Sequence, residues 1–172
     1  LYAGYPIPRA SFRRKMTRDA LGNSGWKNLK ALLRAATKPT SRKVALPILG
    51  VQVVLFLLFW AAGWPQLYLV LWLAPWMTSW RVINRLRAIA EHGGMVRSPD
   101  KRRTTHHVRQ HWAARFWMVP YHTGWHLAHH VDAGIPWRNL PRLHHELEEA
   151  GWITPSLTWP SYTALWRALS AG

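Results

Sequence analysis

The sequence predicts an all-α protein built around an integral membrane helical hairpin. Amphipathic interfacial helices precede the hairpin, and a cytoplasmic, histidine-rich helical cap follows it. Three observations carry this expectation. No Asp, Glu, Lys or Arg occurs in the 37 residues from Val44 to Trp80. All ten histidines lie after residue 91. Strand signals are weak throughout, while Gly and Pro fall where helices should stop.

In the basic segment 1–43, Ser11 is positioned to cap a short helix ending at Gly22. Asn23 or Ser24 should cap a second, from Trp26 to Ala36. There Trp26, Leu29, Leu32, Leu33 and Ala36 share one face with Lys27, Lys30 and Arg34 opposite, the pattern of a helix lying on an anionic membrane surface. The uncharged run 44–80 is too long for one span of ~20 residues and about right for two short ones. Gly63-Trp64-Pro65 breaks it into Val44–Ala62 and Gln66 to about Trp80, and the second helix can continue outward through Arg81, Arg85 and Arg87. The alternative is a pair of very apolar core helices in a soluble protein, where uncharged runs of this length are rare. Residues 1–43 hold eleven Lys/Arg against the single Asp19. Positive-inside asymmetry therefore puts both flanks in the cytoplasm and the turn outside, with Trp60 and Trp64 at the outer interface and Trp76 and Trp80 at the inner one.

After the hairpin, Gly93-Gly94 and Ser98-Pro99-Asp100 mark a loop. Helices are expected from Thr104 or Thr105 towards Val119, from about Thr123 to His130, and from Pro141 to Ala150 with Gly151 just past the end. The whole reads as one partial domain, 1–172. It opens on Leu1 rather than Met, which makes it a candidate carboxy-terminal fragment.

The net charge of +16 suggests nucleic acid or an anionic membrane. The charges track the ends of the hairpin, so nucleic acid is rejected as a partner and the lipid bilayer kept. Absence of Cys removes disulfides, zinc fingers, thiol nucleophiles and cysteine-ligated clusters. Seven acids in all disfavour a four-Glu di-iron bundle.

The histidine spacing is the most informative feature. His122, His126, His129 and His130 fall at i, i+4, i+7 and i+8, within an arc of about 100° on one helix face. Converging imidazoles are how a helix builds a nitrogen-ligated metal site; a pH-sensing or headgroup-binding patch is the alternative. His92 follows Glu91 at the end of the second membrane helix, and His144 and His145 lie on the last predicted helix. His106, His107 and His111, beside Arg102, Arg103 and Arg109, read as a wet basic face.

Two stretches resemble the membrane fatty acid desaturases. Trp125-His126-Leu127-Ala128-His129-His130, then Gly134-Ile135-Pro136 and Asn139-Leu140-Pro141-Arg142-Leu143-His144, is similar to that family's last histidine box, H-x-x-H-H followed by an L-P-x-x-H helix. Arg87-Ala88-Ile89-Ala90-Glu91-His92-Gly93-Gly94 resembles the middle box of a bacterial branch, and Arg103-Thr104-Thr105 the short segment between the two. The resemblance implies two irons held mainly by histidines under a cytoplasmic cap, with His92, His126, His129, His130 and His144 as ligands. It also implies oxygen-dependent insertion of a double bond into an acyl lipid, acyl-CoA or acyl-carrier substrate. Electrons would come from a donor such as ferredoxin or cytochrome b5. Asp132 and Glu91 are candidate outer-shell partners. No histidine precedes His92, so the family's first box is missing, and the chain alone is expected to be inactive. His122 stands where a polar amide is common and is not counted as a ligand. The alternatives are a di-iron hydroxylase or ketolase of hydrocarbons or carotenoids, and a non-catalytic basic membrane protein.

Overall fold

The computed structural model describes residues 4–171 and is helical over most of them. The chain divides into two compact units, residues 14–82 and residues 1–13 with 83–172.

Helix α1 (Arg9–Ala20), whose first five residues belong to the second of these units and the rest to the first, begins before Ser11, which sits inside its first turn instead of capping it. Gly22 follows at φ 76°, a left-handed conformation that costs a residue without Cβ little. It makes the tight turn into α2 (Asn23–Thr37), which carries no side-chain cap from Asn23 or Ser24. Leu29, Leu32 and Ala36 turn inward, while Trp26 and Leu33 stay exposed beside the basic face.

The uncharged run supplies α3 (Arg42–Ala61), a 20-residue helix with Pro47 near its start. A helix this apolar in a water-soluble core would be covered by protein. Here mean hydropathy is 2.4 and only 6 % of the apolar window is buried. It is the one helix among the described residues long and apolar enough to cross a membrane. Its end is a Schellman-type turn: the Trp64 N–H reaches Phe59 O at 2.9 Å and Gly63 takes φ 81°.

The second arm differs from the single helix expected over Gln66–Trp80. It comprises α4 (Pro65–Leu67), a π-helical stretch Tyr68–Leu73, and α5 (Ala74–Met77). Pro75 has no N–H to donate to Leu71 O, and the upstream register widens so that the Ala74 N–H donates to Leu69 O, five residues back. Thr78 then breaks the helix at φ −118°, ψ −89°, with its hydroxyl donating to Ala74 O at 2.7 Å. Gly25 of α2 lies so close to Met77 that an added Cβ would overlap the Met77 backbone. Gln52 Oε1, midway along α3, accepts from Tyr68 Oη at 3.1 Å and Trp72 Nε1 at 2.8 Å. These groups border a cavity of about 290 Å³ lined also by Leu29, Leu32 and Ile48.

In the other unit, α6 (Ser79–His92) leads into a loop and then β1 (His107–Val108), α7 (Trp112–Trp117), α8 (His126–Val131), α9 (Leu140–Glu149), β2 (Thr158–Trp159) and α10 (Tyr162–Leu169). Ile89, Leu127 and Leu165 are fully buried at its centre. Trp166 Nε1 donates to Leu86 O at 2.9 Å, tying α10 to α6.

Two expectations fail here. The helix placed from Thr104 to Val119 is extended in its first half: β1 pairs in parallel with β2, His107 opposite Thr158 and Val108 opposite Trp159. Only Trp112–Trp117 is helical. The helix placed from Thr123 begins at His126 instead. Tyr121 and His122 take φ of 55° and 59° after Pro120, the turn runs on through Gly124, and Trp125 at φ −81°, ψ 47° precedes the first helical residue. The all-α class holds in outline, with this one short strand pair added.

Candidate metal centre

His92 ends α6, and four carbonyl or hydroxyl contacts from residues 104–106 fix that end in place. The Thr105 hydroxyl and the His106 N–H both donate to Glu91 O, at 2.7 and 2.9 Å. His106 Nε2 meets Gly93 O at 2.7 Å, and Thr104 O meets His92 Nδ1 at 2.9 Å. A segment far from the helix in sequence thereby satisfies carbonyls that a helix end leaves open. Trp159 Nε1 donates to His106 Nδ1 at 3.1 Å, so His106 carries its proton on Nε2.

The same logic orients His92. Its Nδ1 must donate to the carbonyl of Thr104, which leaves Nε2 with a free lone pair. Facing it, His126 and His130 stand one turn apart on α8 and share a face. His126 Nε2 lies 3.1 Å from His92 Nε2 and 3.1 Å from His130 Nε2. The three ligand nitrogens lie within 4.8 Å of one another.

Three imidazoles fit a divalent transition metal. Metal–nitrogen bonds of about 2.1 Å at near-right angles place two donors about 3 Å apart. In addition, His126 Nε2 is shared by two ring nitrogens and holds at most one proton, a crowding that a cation among the lone pairs resolves. Burial, then the neighbouring imidazoles and Arg87, push His126 down to about 2. Burial and His92 lower His130 as well. Both therefore stand as neutral rings, the ligating form. Glu91 leans on the site, with Oε1 held by Arg87 Nε at 2.6 Å and Oε2 3.7 Å from His126 Nε2. Burial raises the Glu91 carboxyl, and the Arg87 hydrogen bond works against that rise.

The other expected ligands lie outside this trio. His129 is exposed, its ring 5.9 Å from that of His126. It lines a cavity of about 270 Å³ with Arg87, Thr123, His126, Trp137 and Leu140. His144 is 2 % exposed and packs on His107 at 3.9 Å and Trp125 at 4.7 Å. Asp132 bonds the Gly134 N–H at 2.9 Å, within its own turn. His122 stacks on Trp137 at 5.6 Å, off the α8 face that the i, i+4 spacing assigned it to. The wet basic face expected of His106, His107 and His111 holds for His111 alone. The other two are drawn in by the β1–β2 pairing, with His107 stacked on Trp125. The supporting roles of Thr104, Thr105, His106 and Trp159 were missed. The Arg103-Thr104-Thr105 stretch between the two histidine motifs was the one available signal.

The family model for fatty acid desaturases matches residues 2–167. No curated protein and no solved structure matches the chain.

Proposed function

From the premise that this chain belongs to the fatty acid desaturase family, we propose that it carries part of the iron site of an oxygen-dependent membrane acyl desaturase. The observation that supports this reading best is the convergence of His92, His126 and His130 through Nε2, with His92 held in the ligating tautomer by Thr104 O. These three residues would hold one iron. When bound, iron supplies the activation of dioxygen needed to remove two hydrogens from an unactivated acyl chain. His129, open to the cavity beside His126, is the proposed donor to a second iron. His144 acts as a supporting residue behind Trp125. Arg87 and Glu91 balance charge beside His126 and keep its ring in place. The substrate is an acyl lipid or acyl thioester, and the electron donor a ferredoxin or cytochrome b5-type protein.

We place α3 and the second apolar arm in the bilayer, with the histidine-rich segment in the cytoplasm. The bare apolar surface of α3 and the Lys/Arg asymmetry support this.

The test is iron content of residues 1–172, purified in detergent, together with acyl analysis of a host lacking desaturases. Iron near one per chain and no new double bonds is the expected result, since three nitrogens converge among the described residues. A chain that takes up no iron refutes the reading.

A further inference from the structure

Helix α7 hides its small residues and shows its large ones. Ala114 is 3 % exposed, while Trp112, Phe116 and Trp117 are 80, 67 and 68 % exposed. A helix on a water-facing surface does the reverse. Phe116 and Trp117 pack edge-on against each other at 4.9 Å, so they rest on one another and not on the core. Tyr121, also largely exposed, follows one short turn later. Four such rings, each able to bury ~150–250 Å², leave bare apolar area on the order of 500 Å², at the upper end for soluble monomers.

The charge along the segment that carries these rings has one sign. Arg115 is exposed on α7 between them, and no Asp or Glu occurs from Lys101 to Val131; Arg109, also exposed, instead lines a cavity with Glu148. Two copies of so basic a surface would repel each other. Trp and Tyr interleaved with arginines, whose stems cover apolar surface while their heads seek phosphate, is instead the composition of a bilayer interface.

We propose that the Trp112–Tyr121 segment is a membrane-docking surface: its rings enter the headgroup layer of an anionic bilayer, and Arg115 meets lipid phosphate. This contact is separate from any made by α3, and it does not depend on a metal.

The absence of cysteine allows clean labelling. In the full chain reconstituted into phosphatidylglycerol–phosphatidylcholine vesicles, a nitroxide is placed by Phe116→Cys, by Trp112→Cys as a second position, by Val54→Cys on α3, and by Arg142→Cys on the exposed face of α9. Labels at 112 and 116 should collide with oxygen in preference to a polar nickel chelate, several-fold more so than the label at 142, and less strongly when phosphatidylglycerol is omitted. A label at 54 in lipid with 112 and 116 as wet as 142 overturns the proposal while leaving α3 in the membrane. Spin–spin broadening at 116 that vanishes on dilution with unlabelled chain would assign the surface to a second copy. Protection only after an acidic donor protein is added would assign it to a protein partner. Either result also overturns the proposal.

Discussion

At the level of single residues, one backbone carbonyl sets the state of the site. Thr104 O only accepts, so His92 keeps its Nε2 lone pair pointed at His126. Replacing His92, His126 or His130 by Ala should therefore abolish metal binding, measured as iron per chain, with the helical circular dichroism retained. His106→Ala should behave differently. It unties Gly93 O and Trp159 Nε1 and should lower stability by about 1–3 kcal/mol, read by thermal melting without metal. His107 titrates in a distinct way. Burial, with smaller pushes from His144 and Arg109, depresses it from 6.5 to about 3. A His depressed in the folded state resists protonation that the unfolded chain accepts. Its contribution is complete above about pH 6.5 and is lost as the pH falls towards 3. The slope is up to about 1.4 kcal/mol per pH unit. His107→Phe should flatten the metal-free stability profile between pH 6 and 4; an unchanged slope would show that another group governs it. The H-x-x-H-H spacing made His126 and His130 legible in sequence, because helical periodicity alone brings them together. His122 was misplaced because two left-handed residues interrupt that periodicity, and nothing local announces them.

At the level of elements, α3 and the Gly63 turn were legible because each rests on local rules: apolar length, and a glycine at a left-handed end. The β1–β2 pair was not. His107 and Thr158 lie 51 residues apart, and so short a strand draws its definition from its partner. The second apolar arm was read as one helix because hydropathy is blind to hydrogen-bond register, whereas Pro75 and Thr78 act on the register directly. Gln52 is the polar tie between this arm and α3. Gln52→Leu removes the acceptor of both Tyr68 and Trp72, and should destabilise the unit by about 1 kcal/mol. Detergent unfolding followed by tryptophan fluorescence should register it. No change in midpoint would mean that apolar packing alone holds the arms.

For the whole molecule, the family was legible from two histidine motifs in the right order, since helical spacing keeps such a motif visible in sequence. The docking face on α7 was not, because Trp and Phe in sequence read as core until burial is known. Topology is tested by fusion at Trp64. An alkaline phosphatase joined there should be active, and a fluorescent protein that matures only in the cytoplasm should stay dark; the opposite pattern rejects the orientation. Pro47 leaves Lys43 O without its usual helical partner, so the first turn of α3 needs water or headgroups around it. The uncharged stretch from Val44 to Ala61, polar only at Gln52, then rises about 27 Å at 1.5 Å per residue. That length matches a thin hydrocarbon layer and leaves little surplus to absorb by tilting, so thicker, sterol-rich bilayers would stretch past its ends. With α3 placed across the bilayer as proposed, membrane thickness becomes a variable that selects where such a chain is comfortable.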